Sequence, residues 1–394
     1  MDQTPRQIFL RFLRFGLLAW GGPVAQIAMI KKELVEDEKW VSKEQFNRAL
    51  AVYQALPGPE AHELCVYFGM KAGGTWGGFL AGLGFMLPGF LLMLLFTWLY
   101  ITLGLRSPTI LMIFAGIHVA VVSLIVFAVY RIGKHALTNN ALFLIALFSG
   151  IAFSAGVNFL ILLLIAGLAY IGWQKKNVLL TGLLALLILF FTGLSVYKNG
   201  VHFKPKEREQ ETAAINKHSA PGSVFTTGLK CGLLTFGGAY TAIPFMREDA
   251  VVKNKWMTED QFLDGIALSG ILPAPLIIFS TFVGYFGAGW WGAILITIGI
   301  FLPAFSFTLI GHSVMEKLIA NTALHNFLDG ITAGVIGLIG VTAIQLLIST
   351  VNSPPAIIIF LLSLGMLIKY RSKYTAMLII AAAGLFSLAW EYLF

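Results

Sequence analysis

Long stretches without a charged residue constrain this chain more than any other feature of its sequence. None of them contains Asp, Glu, Lys or Arg, and they occupy residues 107–130, 136–174, 177–197, 265–315 and 330–368. A helix of about 20 apolar residues is long enough to cross a bilayer. Charged residues make up only 12% of the chain, against about 25% in soluble domains, so the chain cannot cover a water-facing surface. The sequence predicts an all-α polytopic membrane protein.

The distribution of charge fits this class. The net charge is +8, but the excess of Lys and Arg lies in short loops. This is the pattern of a multi-pass protein of the cytoplasmic membrane and not of a nucleic-acid-binding face. Cys65 and Cys231 both lie in apolar segments, so no structural disulfide is expected. The first segment carries Arg6, Arg11 and Arg14 and is interpreted as retained, not as a cleaved signal peptide.

The chain contains two copies of one unit. Gly16–Gly22 (GLLAWGG) recurs as Gly232–Gly238 (GLLTFGG), and Leu56–Pro59 (LPGP) recurs as Leu272–Pro275 (LPAP). Further residues in the same register are Trp40 with Trp256, Gln45 with Gln261, Phe46 with Phe262, Trp76-Gly77 with Trp291-Gly292, and Leu87–Phe90 with Leu302–Phe305. Chance apolar similarity does not keep Trp, Gly and Pro in register over such a length. We expect a first transmembrane repeat at 1–197, a polar linker at 198–222 and a second repeat at 223–394.

The number of membrane segments bears on the orientation of the repeats. Predicted segments lie near 8–30, 46–70, 77–104, 109–131, 141–173, 178–197, 224–246, 262–286, 290–314, 326–350, 355–369 and 374–393. The stretch 141–173 is long for one helix, and Gly150 or Gly156-Val157-Asn158 could turn it into a pair. The pair gives an odd number of segments before the linker, which places the second repeat upside down. Because many transporters are built from inverted repeats, we expect inversion here.

Two Pro-x-Pro elements interrupt otherwise helical apolar segments. Pro57-Gly58-Pro59 and Pro273-Ala274-Pro275 each remove backbone donors and disfavour helix in the preceding residues. We expect each helix to break there and to restart after the second proline. A restarted helix points N–H groups and a positive dipole end into the membrane, which suits an anion. Two such breaks predict a shared anion site at the bilayer midplane, whereas simple kinks are the alternative.

Two further pairs of equivalent residues are candidates for substrate binding. Gly21-Gly22 and Gly237-Gly238 lie at the end of the first segment of each repeat, where glycine permits an unwound turn. Close packing of helices through small residues explains them equally well. Arg14 and Lys230 occupy the same repeat position, and a cation in both copies is what an anion path needs. Snorkelling to the headgroup region is the other interpretation of these cations.

An acidic cluster follows the first Pro-Gly-Pro element and has no counterpart in the second repeat. It consists of Glu60, His62 and Glu63. Carboxylates beside a histidine can carry protons in a coupled transporter. We expect these residues to couple or gate transport and not to anchor a dianion. The alternative is that they cap the restarted helix and pair with Lys71 or Arg48.

Motifs of ATP-driven and metal-dependent enzymes are absent from the sequence. There is no Gly-x-x-x-x-Gly-Lys-Ser/Thr loop, His62-Glu63 is not followed by a histidine at Val66, and no Cys/His cluster has metal-ligand spacing. We therefore expect no cofactor, no metal site and no enzymatic activity. His118 and Asp329 are single polar residues on apolar helices and are interpreted as packing or relay residues.

These motifs resemble those of the chromate ion transporter family. Two-copy members of that family carry in each half a Phe/Trp-Gly-Gly element, a charged loop with a Trp, a Pro-Gly-Pro element and a Leu-Pro-Gly/Ala stretch. The matching elements here are Trp20–Pro23, the loop around Trp40, Leu56–Pro59 and Leu87–Phe90, then Phe236–Gly238, the loop around Trp256, Leu272–Pro275 and Leu302–Phe305. The resemblance implies an exporter of chromate, driven by the proton motive force, that also accepts sulfate-like oxyanions.

Two departures from the family pattern bear on the substrate. The second element reads Pro-Ala-Pro, and the first is followed by Glu60-Ala61-His62-Glu63 where many members have Asn and Ser or Thr before the Glu. The second change removes neutral donors from the suspected site. The sequence therefore leaves open an importer or exchanger of sulfate or another oxyanion, and a membrane enzyme acting on a phosphate-bearing lipid carrier. It also allows a homodimer.

Overall fold

The computed structural model describes residues 3–103, 108–199, 219–310, 321–370 and 372–393. Within these ranges the chain forms helices joined by turns, and no β-strand. The predicted all-α class is therefore confirmed. Most of the predicted linker, 198–222, lies outside the described residues.

The helices follow one another in the same order in both halves. The α-helices are α1 (Pro5–Leu17), α2 (Gly22–Ile30), α3 (Lys43–Ala55), α4 (Glu60–Leu103), α5 (Pro108–Ala136), α6 (Asn140–Ser154), α7 (Phe159–Gln174), α8 (Val178–Asn199), α9 (Pro221–Leu233), α10 (Ile243–Arg247), α11 (Glu259–Ile271), α12 (Phe279–Leu309), α13 (Thr322–Thr350), α14 (Pro354–Lys369) and α15 (Thr375–Leu393). Two π-helical segments follow α2 and α10, at Lys31–Asp37 and Glu248–Lys253, and 3-10 turns precede α10 and α12, at Ala239–Ala242 and Leu276–Ile278.

Helix α4 is two helices folded back on each other. A straight helix of its 44 residues would measure about 66 Å, roughly twice the thickness of a hydrocarbon core. The chain reverses at Gly73-Gly74, where Gly74 has a φ of 62°. A Cβ on Gly69 would meet the backbone of Gly77. The segments 60–72 and 75–103 therefore pack antiparallel.

Helix α12 is built in the same way in the second half. It reverses at Ala288-Gly289, with φ and ψ of −155° and 34° at the alanine and 62° and −148° at the glycine. Gly284 packs against the backbone of Gly292, so that 279–287 and 290–309 also lie antiparallel. The equal turns show that the repeat seen in the sequence is a repeat of backbone geometry.

Two helical hairpins precede these turns. In the first hairpin, α3 and 60–72 are the arms and Leu56–Pro59 is the tip. The rings of Phe46, early in α3, and Phe68, late in the second arm, have centroids 6.3 Å apart. The two arms therefore lie side by side and run antiparallel.

The second hairpin has α11 and the first part of α12 as its arms and Leu272–Pro275 as its tip. Close to the tip, the Ser269 hydroxyl donates to the carbonyl oxygen of Leu276 over 2.7 Å. At the far end, a Cβ on Gly287 would lie 3.1 Å from the ring of Trp256, just before α11. Contacts at both ends show that this hairpin is closed along its length.

Local signals begin and end the first arm of each hairpin. Ser42 and Gln45 form a reciprocal capping box, in which each side chain accepts the backbone N–H of the other residue, and Thr258 and Gln261 do the same. The arms end before the prolines of the tips because proline has no N–H and disfavours helix in the residue before it. The hairpin boundaries thus follow directly from side-chain chemistry.

The long helices 75–103 and 290–309 pack against each other. A Cβ on Gly78 would lie 2.7 Å from Leu309, and a Cβ on Gly82 would lie 2.7 Å from the ring of Phe305. The residue number falls in one helix as it rises in the other. These two helices, which occupy equivalent places in the two repeats, therefore run antiparallel.

The chain folds into two compact units, and each unit takes segments from both halves of the sequence. The unit that contains both hairpins comprises Met1–Val121, Ala213–Met315 and Ser353–Phe394. The other unit comprises Val122–Thr212 and Glu316–Asn352, and in it α6 packs on α13 through Gly150 and Gly337. All candidate site residues of the sequence analysis lie in the first unit. The repeat boundaries at 197 and 223 stay a prediction.

The protein is a multi-pass membrane protein. By length and composition, six helices of the described residues are able to cross a membrane, at Glu60–Leu103, Thr109–Ala136, Val178–Tyr197, Leu276–Leu309, Thr322–Thr350 and Thr375–Tyr392. The stretch 141–173, which the sequence left open as one helix or two, forms two helices, α6 and α7. The segments 46–70 and 262–286 were wrong as single segments, because each one turns back at its Pro-x-Pro tip.

Candidate functional site

The tip of the first hairpin contacts the second half of the chain. The backbone N–H of Gly58 donates to the carbonyl oxygen of Thr235 over 2.9 Å, and a Cβ on Gly58 would lie 3.3 Å from the Cβ of Ala304. Gly58 has a φ of 153°, which residues with a side chain rarely adopt. This tip therefore lies between the second Gly-Gly element and the second Leu-Pro-Ala-Phe stretch.

The tip of the second hairpin makes the equivalent contact with the first half. Ala274 packs on Gly89 so closely that a Cβ on Gly89 would overlap the Cβ of Ala274. Gly89 and Ala304 are equivalent in the two repeats, so each contact joins one glycine to one alanine. Gly89 is also the central residue of 75–103, which places the second tip halfway along a membrane-spanning helix.

The Gly-Gly pairs unwind the chain. Helix α1 ends at Leu17 and α2 begins at Gly22, and Gly21 and Gly22 have φ angles of 88° and 76°. In the second half, Gly237 and Gly238 have φ angles of 76° and 114°. Positive φ angles interrupt a helix and are accessible to glycine at little cost. Of the two interpretations of these pairs, the unwound turn is the one observed.

The two breaks use their freed carbonyl groups differently. The carbonyl oxygen of Ala19 accepts the side-chain amide of Gln26 over 2.9 Å. The equivalent oxygen of Thr235 accepts the backbone N–H of Gly58 instead. Gln26 has Ala242 as its counterpart, and an alanine side chain cannot donate. The freed carbonyl group of the first break is therefore hydrogen-bonded within its own repeat, whereas that of the second break is hydrogen-bonded by the hairpin of the other repeat.

Glu63 and His62 are buried beside the first tip with little compensation. Both are 0% exposed, and no described residue supplies a hydrogen-bond partner for the carboxylate oxygens of Glu63, whereas the His62 ring has a weak interaction with the backbone of Gly82. The His62 ring lies 4.9 Å and 4.6 Å, between centroids, from Phe301 and Phe305 of the second half. A Cβ on Gly58 would lie 3.0 Å from Glu63 Oε1. Burying such groups unpaired costs several kcal/mol, so the site needs a proton, a water or a ligand.

The second hairpin has no such cluster. Glu60, His62 and Glu63 of the first hairpin are replaced there by Leu276, Ile278 and Phe279, which are all buried. Glu60 itself is half-buried. The acidic cluster therefore makes the two hairpins chemically different although their backbones match.

Arg14 and Lys230 both lie in ion pairs. Arg14 donates to Glu33 Oε1 over 3.0 Å, and Lys230 pairs with Asp249. Glu33 and Asp249 are equivalent positions in the π-helical segments of the two repeats. The predicted cations thus tie the first helix of each repeat to the segment that follows the Gly-Gly break. An anion that binds them has to compete with these carboxylates.

Several residues near the tips were not identified from the sequence. Thr235, Phe301 and Phe305 contact the first tip or His62, and the backbone of Lys373 lies against Gly21. The repeated Leu-Pro-Gly/Ala-Phe stretch was the available signal for Phe305. No signal marked Lys373, because it lies far along the chain from Gly21.

Metal ligands are not part of this site. Across the described ranges, no group of three or more His, Cys, Asp or Glu side chains is placed to hold a metal ion.

Two membrane hairpins whose tips contact opposite halves of the chain, with buried ionisable side chains beside the first tip, are features typical of a polytopic transport protein. A family model described as "Chromate transporter" matches residues 6–173 and 222–388, one match in each half. The chain belongs to the chromate transporter family, as its motifs predicted.

Proteins similar to this chain occur in bacteria and archaea. A chromate transport protein of Pseudomonas aeruginosa is 48% identical over 96% of this chain and 91% of its own length. An uncharacterized transporter of Methanocaldococcus jannaschii is 30% identical over 95% of this chain and 91% of its own. A chromate transport protein of Cupriavidus metallidurans is 28% identical over 98% of this chain and 93% of its own. No solved structure gives a significant match.

Proposed function

We propose that this protein exports chromate across the cytoplasmic membrane and that the proton motive force drives export. The observation that carries the proposal is the pair of fully buried ionisable side chains, Glu63 and His62, beside a hairpin tip. Membership of the chromate transporter family and the names of the relatives support the choice of substrate.

The tips supply the groups that an oxyanion needs. The first N–H groups of a helix have no partner within it, and the helix dipole adds positive potential. The second arms begin at Glu60 and, after a 3-10 turn, at Phe279, and the tip that precedes Phe279 packs on Gly89, halfway along 75–103. The residues that we propose to surround the anion are Gly21, Gly22, Pro57, Gly58, Pro59, Gly237, Gly238, Pro273, Ala274 and Pro275.

Arg14 and Lys230 act in this proposal as positioning residues of the anion path. Each holds the segment after a Gly-Gly break through its carboxylate partner, Glu33 or Asp249. Exchange of the carboxylate for the substrate oxyanion would let the same cations attract chromate.

Glu63 supplies the coupling in this proposal. An approaching dianion raises the cost of an ionised carboxylate at 3–4 Å, and a bound proton removes that cost. Proton uptake by Glu63, with Glu60 and His62 beside it, is therefore linked to anion binding, and the linkage is reciprocal. The membrane potential drives export, because a negative charge still leaves with each chromate and its proton.

Inverted repeats supply the alternation of access. The antiparallel packing of 75–103 on 290–309 supports inversion, because these are equivalent helices of the two repeats. In such proteins one repeat rocks against the other around a central site. The contacts of Gly58 with Ala304 and of Ala274 with Gly89 lie at the boundary where that movement would occur.

The membrane potential favours export. A dianion that leaves a negative interior gains about 4.6 kcal/mol per 100 mV, which corresponds to about three decades of concentration ratio. A gated anion path is therefore sufficient to drain chromate outward without ATP.

Everted membrane vesicles test the proposal. We expect vesicles that contain the protein to take up labelled chromate, and an uncoupler to abolish the uptake. Labelled sulfate in parallel measures the range of oxyanions. Uptake of sulfate without chromate, or chromate uptake that is indifferent to the uncoupler, would contradict the proposal.

A further inference from the structure

A second buried group of ionisable side chains lies away from the acidic cluster of the first hairpin. His118 Nε2 and Asp264 Oδ1 are 2.6 Å apart, and the Tyr100 hydroxyl donates to Asp264 Oδ2 over 2.6 Å. Tyr100 belongs to 75–103, His118 to α5 and Asp264 to α11. The group thus ties the first arm of the second hairpin to two helices of the first half.

This group has a connection to water. The side chains of His118 and Asp264 are 10% and 8% exposed. Asp260, one helical turn before Asp264, is 53% exposed, and its Oδ1 lies 3.9 Å from His118 Nδ1. The two ring nitrogens of His118 therefore face an exposed carboxylate on one side and a buried carboxylate on the other.

The two hairpins carry their acidic groups at different places. Asp264 has Arg48 as its counterpart in the first repeat, and Arg48 is exposed on α3. Glu63 has Phe279 as its counterpart in the second repeat. Each hairpin therefore contains one buried carboxylate of its own, beside the tip in the first and within the first arm in the second.

We propose that Asp264 and His118 form a second proton-binding site, loaded from water through Asp260, that exchanges a proton during each transport cycle. The inference rests on the proposed function. Glu63 is fully buried in this conformation, whereas Asp264 lies one helical turn from Asp260, which is 53% exposed. The second site gives the coupled proton a place to enter.

The proton balance of the site is simple. His118 Nδ1 accepts a proton from water or Asp260, and the proton on Nε2 moves to Asp264 Oδ1. The imidazole is then neutral again, and the buried carboxylate has become a carboxylic acid. Reversal releases one proton and restores the negative charge, which the Tyr100 hydroxyl and the imidazole N–H stabilise.

The titratable groups of the site come from three elements. They are Tyr100 from 75–103, His118 from α5, and Asp260 and Asp264 from α11. From the second arm of the hairpin, Phe282 and Phe286 meet Tyr100, and the titratable residue of this arm is Tyr285. Helix α15 contacts α11 at Gly270 through Ile380 and α5 at Gly116 through Ser387, and its last turn, which follows Ser387, carries Glu391 and Tyr392.

Reconstituted protein in liposomes separates coupling from binding. We expect Asp264→Asn and His118→Gln to exchange labelled for unlabelled chromate within about twofold of the wild type. For one coupled proton, a pH difference of about one unit across the membrane sustains about a tenfold ratio of chromate concentrations. Both variants should lose this accumulation of chromate. Asp264→Glu should restore it in part, because it keeps the carboxylate.

The matched control is Asp329→Asn. Asp329 pairs with His325 over 3.6 Å on α13, with 40% of its side chain exposed, so its removal should leave both assays unchanged. Loss of exchange and of accumulation together in Asp264→Asn, in protein that remains folded, would assign the group a structural role and overturn the proposal. So would full accumulation with an unchanged pH profile.

A measurement without chromate keeps this inference separate from the proposed function. In a potentiometric titration, purified wild-type protein should bind about one proton more per chain than His118→Gln, because the imidazole ring can accept a proton and the amide cannot. Absence of chromate exchange by the wild type would defeat the proposed function alone. An equal proton count in wild type and variant would defeat the second proton site alone. If Asp264→Asn does not fold, the pH profile of Tyr100→Phe must shift for the proposal to stand.

Discussion

At the scale of single residues, two buried ionisable side chains raise the free energy of the folded protein. Glu63 and His62 are fully buried, and Glu63 lacks a hydrogen-bond partner among the described residues, although a chain of this class can place apolar residues there, as it does with Ile278 and Phe279 in the second hairpin. An uncompensated buried carboxylate persists only if it serves a purpose that offsets its cost. We assign that purpose to proton coupling.

Replacement of Glu63 by Gln tests the coupling role directly. The amide keeps the shape of the side chain but cannot take up a proton, so we expect the pH dependence of chromate transport to flatten while anion binding stays measurable. The measurement is the rate of chromate transport in vesicles between about pH 5.5 and 8.5, a range in which carboxylates and histidines act in coupled reactions. Glu63→Asp is the matched variant that retains the charge. A normal rate with an unchanged pH profile would make the carboxylate structural.

The two cations at equivalent positions of the repeats, Arg14 and Lys230, give a second residue-scale prediction, because their ion pairs differ in burial. Arg14 is 60% exposed, so Arg14→Ala should cost about 0–1 kcal/mol. Lys230→Ala leaves Asp249, 6% exposed, without this partner and should cost about 1–3 kcal/mol. Thermal unfolding of the purified variants measures both.

The double variant Lys230→Ala/Asp249→Ala separates pairing from anion binding. It should regain part of the lost stability, because it also removes the buried carboxylate, which in Lys230→Ala keeps only Thr227 and Lys253 as described side-chain partners. If Lys230 also attracts the oxyanion, transport stays low in the double variant. Recovery of both stability and transport would show that Lys230 has a purely structural role. In that case Arg14→Lys should transport as well as the wild type.

At the scale of helices and hairpins, each tip packs on the opposite half of the chain through one glycine and one alanine, and the two residues trade places between the two contacts. Gly58 meets Ala304 in one contact, and Ala274 meets Gly89 in the other. Each contact therefore has room for a single Cβ. The Pro-Ala-Pro variant in the second hairpin is compatible with the fold because its partner position is a glycine, and because the φ of 153° that demands glycine occurs at Gly58.

A swap of glycine and alanine tests this packing. Gly89→Ala overpacks the contact and should cost about 1–3 kcal/mol, with impaired transport. Adding Ala274→Gly should restore both, since it recreates the arrangement of the other contact. Gly193→Ala, with no atom within 4 Å of its new Cβ, is the control and should be neutral or stabilising. If the double variant does not recover, the second tip does not pack on Gly89 as described.

At the scale of the whole molecule, the proposed inversion of the repeats would decide how access alternates. If the repeats are inverted, the turn at Gly73-Gly74 and the turn at Ala288-Gly289 face opposite sides of the membrane. The exposed Trp76 and Trp291, next to these turns, then lie at opposite interfaces, where tryptophan is enriched.

Labelling of single cysteines tests the inversion. In a background with Cys65 and Cys231 replaced by alanine, Thr75→Cys and Trp290→Cys should react with a membrane-impermeant maleimide from opposite sides. Both parent positions are exposed. Right-side-out and everted vesicles provide the two accessible faces. Labelling of both positions from the same face would rule out inverted repeats.

Much of this architecture follows from the sequence by itself, because the signals are local. Charge-free stretches determined the membrane class, since a chain with so few charges has no water-facing surface. Prolines determined where α3 and α11 end, because the missing N–H acts on the adjacent turn. The register of Trp, Gly and Pro determined the repeat. Glu63 was identifiable because a carboxylate is out of place in an apolar segment.

Only the tertiary structure decided which of these residues meet. Hydropathy is blind to chain direction, so the segments 46–70 and 262–286, which reverse at the Pro-x-Pro tips, read as continuous, whereas the turn at Gly73-Gly74 falls between two predicted segments. The contact of His118 with Asp264 joins residues 146 positions apart, and no local pattern marks either one as the partner of the other. Pairing in space depends on how helices from both repeats pack. For that reason the breaks were predictable from the sequence, and the contacts that hold them were not.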